Sequence, residues 1–334
     1  MFLIRLNHTK HLYLLILSLI YSGSIKAQDA EFTQFLNAPL YLNPAFTGVA
    51  IGPRFMINYR NEWPALDKAF ISYHVSFDQD IDKINGGVGL SAFNDVQANG
   101  LYSQLQFTGS YAYQFKMDNE TAVRIGLSAS YSQIKIDFNK LIFGDMIDPG
   151  TVTVSIPTGE LVPSTLTKSY SDFGAGFLLY SKKLFIGGGV KHITQPALSF
   201  YSTDDGHLPV RFAFHFGYEF KKNRRSKSFF TPNAMYAMQG RFHQLNVGVM
   251  SGRGVLIGGL NYRHDFSNPD AFIFILGIKK GVFKVAYSYD ETSSDLKSKT
   301  GGAHEISISI NLADQKNAEK IRRLKRYTEC PSIL

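Results

Sequence analysis

Residues 209–220 read PVRFAFHFGYEF. One parity carries Val210, Phe212, Phe214, Phe216, Tyr218 and Phe220; the other carries Arg211, Ala213, His215, Gly217 and Glu219. Side chains alternate across a strand, so the segment has one apolar, nearly all-aromatic face and one small or polar face. Its length, close to the roughly 11 residues of a tilted transmembrane strand, fits a membrane crossing as well as a soluble sheet. The fold turns on whether this pattern occurs once or many times.

It recurs. From residue 54 onward, fourteen candidate strands fall at about 54–60, 69–79, 86–96, 101–115, 121–137, 170–181, 183–193, 209–220, 228–239, 241–251, 254–264, 270–280, 281–290 and 303–312. In 101–115, Leu105, Phe107, Tyr111, Tyr113 and Phe115 oppose Gln104, Gln106, Thr108, Ser110, Ala112 and Gln114. In 303–312, Ile306, Ile308, Ile310 and Leu312 oppose Glu305, Ser307, Ser309 and Asn311. A soluble sandwich would also alternate, but its outward face would carry Lys, Glu and Thr. Here the polar face is mostly Ser, Gly, Gln, His and Asn, which suits a crowded barrel interior. The expected fold class is therefore all-β: a transmembrane antiparallel up-and-down β-barrel of about fourteen strands. The longer connections, 61–68, 138–169, 194–208 and 291–302, follow odd-numbered strands, and 116–120, 182 and 251–253 are short turns after even-numbered ones. That asymmetry is expected when both ends of the barrel lie in the periplasm. The short links at 97–100 and Gly240 break it.

Composition agrees. The 334 residues include 27 Phe, 18 Tyr and 29 Gly with only 19% charged side chains, a profile of aromatic strands and turns. Of the formal net charge of +8, Arg5, Lys10 and Lys26 lie in a segment expected to be removed, and most remaining basic residues are scattered through turns. That argues against a nucleic-acid partner. The single cysteine, Cys330, allows no intrachain disulfide, and no cysteine stands where a lipid anchor would need one.

Four segments follow. Residues 1–27 read as a signal peptide: a basic start, the apolar run LYLLILSLIY at 12–21 and a small-residue exit, with cleavage expected before Gln28. Residues 28–53 are broken by Pro39 and Pro44 yet rich in Phe, Leu and Tyr, and read as an ordered plug or rim segment. Residues 54–312 are the barrel, and 313–334 form a basic periplasmic tail. The expected location is the outer membrane of a Gram-negative bacterium.

No catalytic motif is present. His264-Asp265 with a barrel serine could imitate a hydrolase triad, and His304-Glu305 with His192 could imitate a metal site, but nothing in the sequence brings either set together. The expectation is a non-enzyme without cofactor or metal.

Three stretches carry a family resemblance. QDAEFTQFLNAPLYLNPAFTG at 28–48 resembles the N-terminal hallmark of the PorP/SprF family of the type IX secretion system, through Phe32, Gln34, Phe35, Asn37, Pro39, Leu40, Tyr41, Asn43, Pro44, Ala45 and Gly48. It departs from that pattern at Ala38. KHITQP at 191–196 resembles the family's HxTQP element, with His192, Gln195 and Pro196. SYDETSSDLKSKTGGAHEISISINL at 288–312 resembles its ending, with Tyr289, Asp290, His304 and Glu305; a Cys-Pro pair at Cys330-Pro331 is a further point of likeness. The resemblance implies an outer-membrane barrel of Bacteroidetes in contact with outer-membrane lipids. It also implies partners: periplasmic type IX components and secreted cargo, including the C-terminal domains of gliding adhesins. The alternative function is a porin or uptake channel, and an outer-membrane lipase stands third. From the residues alone, His192 and Gln195 are expected to hydrogen-bond at a loop base. Asp290 is expected in a buried network with His304 or Glu305.

Overall fold

The computed structural model describes residues 29–312 and 331, except 51, 67–69, 119, 149, 152, 155–156, 162, 164, 201–205, 222–227, 267 and 294–299. The expected signal peptide, Cys330 and the basic tail apart from Pro331 lie outside the described residues.

Fourteen strands form: β1 (Arg54–Glu62), β2 (Phe70–Ile81), β3 (Gly86–Gln97), β4 (Tyr102–Lys116), β5 (Thr121–Ile136), β6 (Thr167–Ser181), β7 (Leu184–Lys191), β8 (Arg211–Tyr218), β9 (Ser228–Gln239), β10 (Phe242–Arg253), β11 (Leu256–Asp265), β12 (Asn268–Lys280), β13 (Phe283–Thr292) and β14 (Ala303–Asn311). Each pairs antiparallel with its chain neighbour, and β1 pairs with β14 from Arg54↔Asn311 to Glu62↔Ala303, so the sheet closes. Closure satisfies every strand's backbone without an open edge, which is what a membrane demands of a sheet.

The expected strands all exist, but several ends move. The stretch 251–253, read as a turn, is strand, and β10 meets β11 through the pair Arg253↔Leu256. Residue 281, read as the start of a strand, is in a turn bounded by Lys280↔Phe283. Gly240, Gly254 and Gly281 each open a two-residue hairpin with φ of +62°, +67° and +61°. Glycine takes that conformation without a Cβ clash, and the primed turns matching strand twist require it. β7 stops at Lys191 rather than 193, because His192 turns left-handed at φ +58°. The opening stretch yields β8 over only Arg211–Tyr218, with Phe220 reaching beyond it in one isolated bridge to Phe230.

The faces separate as the alternation requires. On β8, Phe212, Phe214 and Phe216 are 37–48% exposed, whereas Arg211, Ala213 and His215 are buried. On β1, Phe55 and Ile57 point out while Arg54, Met56, Asn58 and Arg60 point in. Apolar outside and polar inside is the inverse of a soluble protein and the arrangement of a membrane barrel.

What fills the inside is the N-terminal segment. Every residue from 32 to 49 is buried. Asp29 sits where β7 and β9 end, at the long-connection end, against His192 and Gln239. Gly48 sits near the opposite end, beside Asp78 and the β2–β3 turn. Between them the chain is compact: a 3-10 turn at Phe35–Asn37, one helical turn at Pro39–Leu42 and a 3-10 turn at Pro44–Phe46. Each proline opens its turn, where its missing N–H costs nothing. Asn43 caps the last turn by accepting the Ala45 N–H at 2.8 Å.

Candidate functional site

The functional surface available to this chain is the filled lumen and its rim at the long-connection end. Three ionic clusters fix the segment to the wall. Near the short-turn end, Arg54 on β1 grips Asp78 on β2 with two bonds of 2.9 and 3.0 Å, and Asp78 accepts the Gly48 N–H at 2.7 Å. A side chain at Gly48 would require its φ of +70° and a Cβ only 2.6 Å from the Gly87 backbone. The segment and the β3 wall therefore touch backbone to backbone.

Toward the long-connection end, Asp290 on β13 accepts from Arg60 at 3.0 Å, Arg263 at 2.9 Å and the Thr33 hydroxyl at 2.6 Å. Glu305 on β14 accepts the backbone N–H groups of Thr33 and Gln34 at 2.7 and 3.1 Å. Asn37 donates to Gln34 and to Ser307, and Asn43 donates to the Phe177 carbonyl at 2.9 Å. Tyr41 donates to the Ala30 carbonyl and lies beneath the Lys191 ammonium, 3.5 Å from its ring centre. Phe32 packs edge-on against Tyr41 at 5.1 Å.

At the rim, His192 stands between two carboxylates. Its Nδ1 is 2.9 Å from Asp172 on β6 and its Nε2 is 2.8 Å from Asp29. Burial alone would depress this histidine, but the Asp29 charge and the hydrogen bonds it donates to both carboxylates outweigh it and raise it to about 9. Asp29 responds in the opposite sense. Burial opposes its charge, yet the charge and hydrogen bond of His192 hold it well below the usual carboxylate range. Gln195 is also left-handed, at φ +46°, and its N–H closes the turn on the His192 carbonyl at 3.1 Å. The carbonyl of Pro196 accepts the Leu208 N–H at 2.9 Å, which folds the 192–208 connection back on itself. Glu31 completes the rim by pairing with Arg211 on β8, at 3.0 Å to Nε.

Of the two partners expected for Asp290, Glu305 shares its network through Arg60, 3.0 Å from Asp290 and 3.6 Å from Glu305, and through Thr33. His304 takes no part in the Asp290 network, because it is adjacent to Glu305 on a strand and so faces outward. It lies 2.7 Å from the Tyr287 hydroxyl and packs on Tyr289. His192 points inward, so the imagined His192–His304–Glu305 metal set does not converge. His264 likewise lies on the outer face beside Tyr262 and Phe266.

With this geometry in place, comparison with known proteins is decisive on one point. The family model described as "Type IX secretion system membrane protein PorP/SprF" matches residues 24–310. The chain belongs to the PorP/SprF family. Among solved structures, the toluene transporter TbuX of Ralstonia pickettii is similar at a TM-score of 0.50 and 9% identity, covering 82% of this chain and 93% of that one. The P. putida toluene transporter TodX is similar at 0.48 and 9%, with 84% and 95% covered, and a Pseudomonas aeruginosa FadL homologue at 0.43 and 11%, with 78% and 90% covered. At such identities these barrels speak to the fold alone. No curated protein matches the sequence.

Membership in the PorP/SprF family makes this chain a type IX secretion membrane protein with an outer-membrane-barrel fold, in a family of secretion components rather than enzymes. Of the family-motif residues, the structure gathers Asn37, Pro39, Tyr41, Asn43, Pro44, Gly48, His192, Asp290 and Glu305 into the lumen. Tyr289 and His304 are left on the outer wall near the rim. Sequence reasoning missed Asp29, Glu31, Thr33, Arg60, Asp172 and Arg263 as partners. One signal was present: Arg60 and Arg263 share the inward parity of their strands, and an arginine inside a barrel requires an acceptor.

Proposed function

We propose that this protein is a non-enzymatic outer-membrane component of type IX secretion that supports export or surface attachment of large cargo, gliding adhesins included, rather than passage of solutes. Residues 1–27 act as the signal peptide, 28–53 as the plug, 54–312 as the barrel and 313–334 as a periplasmic tail. The long-connection end faces outward and offers the docking surface for cargo C-terminal domains. The short-turn end faces the periplasmic machinery.

The observation that carries this reading is the occupied lumen. A diffusion pore needs a continuous aqueous path. Here eighteen consecutive buried residues, 32–49, run through the barrel interior. Two cavities along them measure about 20 and 40 Å³, room for one or two waters each. Deleting the gene tests the proposal: cell-surface adhesins should be lost or shed, and full secretion and attachment without this protein would sink it. Planar-bilayer recording of the purified barrel separates the porin alternative, because a sealed barrel gives no steady single-channel steps.

A further inference from the structure

Above the Asp290 network, at the long-connection end, lies a cavity of about 380 Å³. It is unlike the small gaps deeper in the lumen. One wall is aromatic: Trp63, Phe70 and Phe242 line it, and Trp63 meets Phe70 edge-on at 5.5 Å. Glu62, Asp95 and Asp265 also line it. Arg60 and Arg263 form its floor; both reach down to Asp290, and Arg60 also holds Glu62 at 3.3 Å. Asp29 and Glu31 are engaged by His192 and Arg211. Asp95 is different: it is buried and its hydrogen bonds come from Ser72 at 2.6 Å and Gln97 at 2.7 Å, both neutral. A second observation is independent of the acidic groups. Gln244, 4% exposed, lines the same cavity with its side-chain oxygen buried and without a hydrogen-bond partner. A buried carboxamide oxygen without a donor is costly, and a turn of the Gln244 side chain toward the cavity would let an incoming N–H group satisfy it.

We infer that this cavity is a binding site for a cationic side chain, a lysine ammonium or arginine guanidinium carried on an extended peptide. The carboxylates supply the charge, Gln244 accepts a hydrogen bond and the aromatic wall supplies a cation–π face. The volume admits one such side chain with a short piece of backbone. Assigning that peptide to exported cargo rests on the secretion reading above; the binding of a cation does not.

Trp63 makes the test label-free, because it is the only tryptophan in the chain. The mature protein in detergent is titrated with the capped peptide acetyl-Gly-Ser-Arg-Gly-Ser-amide and with a twin carrying norleucine in place of arginine. The arginine peptide should shift Trp63 emission saturably, and the norleucine twin should not. Asp95→Asn should weaken binding about tenfold, and Asp95→Asn with Glu62→Gln should abolish the response. Retained heat-modifiability on gels shows that the variants are folded barrels; if Asp95→Asn does not fold, Glu62→Gln, whose side chain is 34% exposed at the rim, is read alone. An absent shift, an equal response to norleucine, or an unchanged affinity in the folded variants overturns the site. Saturable arginine binding by a protein whose deletion leaves surface adhesins intact supports the site and rejects only its assignment to cargo.

Discussion

A buried histidine and a largely buried carboxylate set the chemistry of the segment's attachment. His192 is raised to about 9 and Asp29 is held low, each by the other's charge. A raised histidine stabilises the folded state fully below its ordinary value of about 6.5, and that contribution is lost as pH climbs through about 9. A lowered carboxylate acts conversely: its contribution is present above about 4 and is lost as pH falls. The clasp is therefore strongest between those limits. The melting temperature of the wild type should exceed that of His192→Gln near pH 6, and the gap should close above about pH 9. A gap that persists to pH 10 would mean that the histidine's charge is not what holds Asp29. Asp290 is more demanding, since its removal leaves Arg60 and Arg263 buried without their shared acceptor. Asp290→Ala should cost about 3–5 kcal/mol, read as a drop in the urea midpoint of the folded barrel. His192 was legible in the sequence as a loop-base histidine. Its partner Asp29 was not, because 163 residues separate the two and no periodicity connects a coil to a rim.

Strands were the most legible elements, since alternation is a local signal repeated at every second residue. Their ends were harder, because a turn is decided by one or two backbone angles. The residues 251–253 show this: Ser-Gly-Arg resembles a turn, but the turn belongs to Gly254-Val255, opened by Gly254 at φ +67°. β8 offers a direct check on the exterior. Phe214 is 48% exposed at mid-strand, and Phe220 is 54% exposed beyond the strand's end. Arginine on a lipid-facing barrel position costs about 2–4 kcal/mol at the bilayer centre and only about 0–1 near its edge. Phe214→Arg should therefore lower the yield of heat-modifiable, membrane-inserted barrel sharply, and Phe220→Arg should lower it little. Equal yields would mean that this face does not meet hydrocarbon.

For the molecule as a whole, the wall and the filling are separable problems. The wall closes through pairing between chain neighbours plus the single β1–β14 seam, and could be counted out from the sequence. The filling depends on contacts such as Thr33 to Glu305, 272 residues apart, whose pattern no local period encodes. Its composition alone betrayed it, being too apolar for a free tail. Separability predicts that the segment can be dislodged while the wall persists. Gly126 on β5 faces the segment so closely that a Cβ there would lie 2.3 Å from the Ala45 nitrogen, whereas β5 keeps its full ladder with β4 and β6. In Gly126→Val, the branched side chain must displace the Pro44–Ala45 backbone, because strand pairing on both sides holds β5 in place. The variant should remain a heat-modifiable barrel, yet its N-terminal segment should become cleavable by added protease and the purified protein should conduct ions where the wild type does not. A variant that stays sealed and protected would show that the segment yields locally without leaving the lumen. One that fails to form a barrel at all would show that wall and filling fold as a single unit.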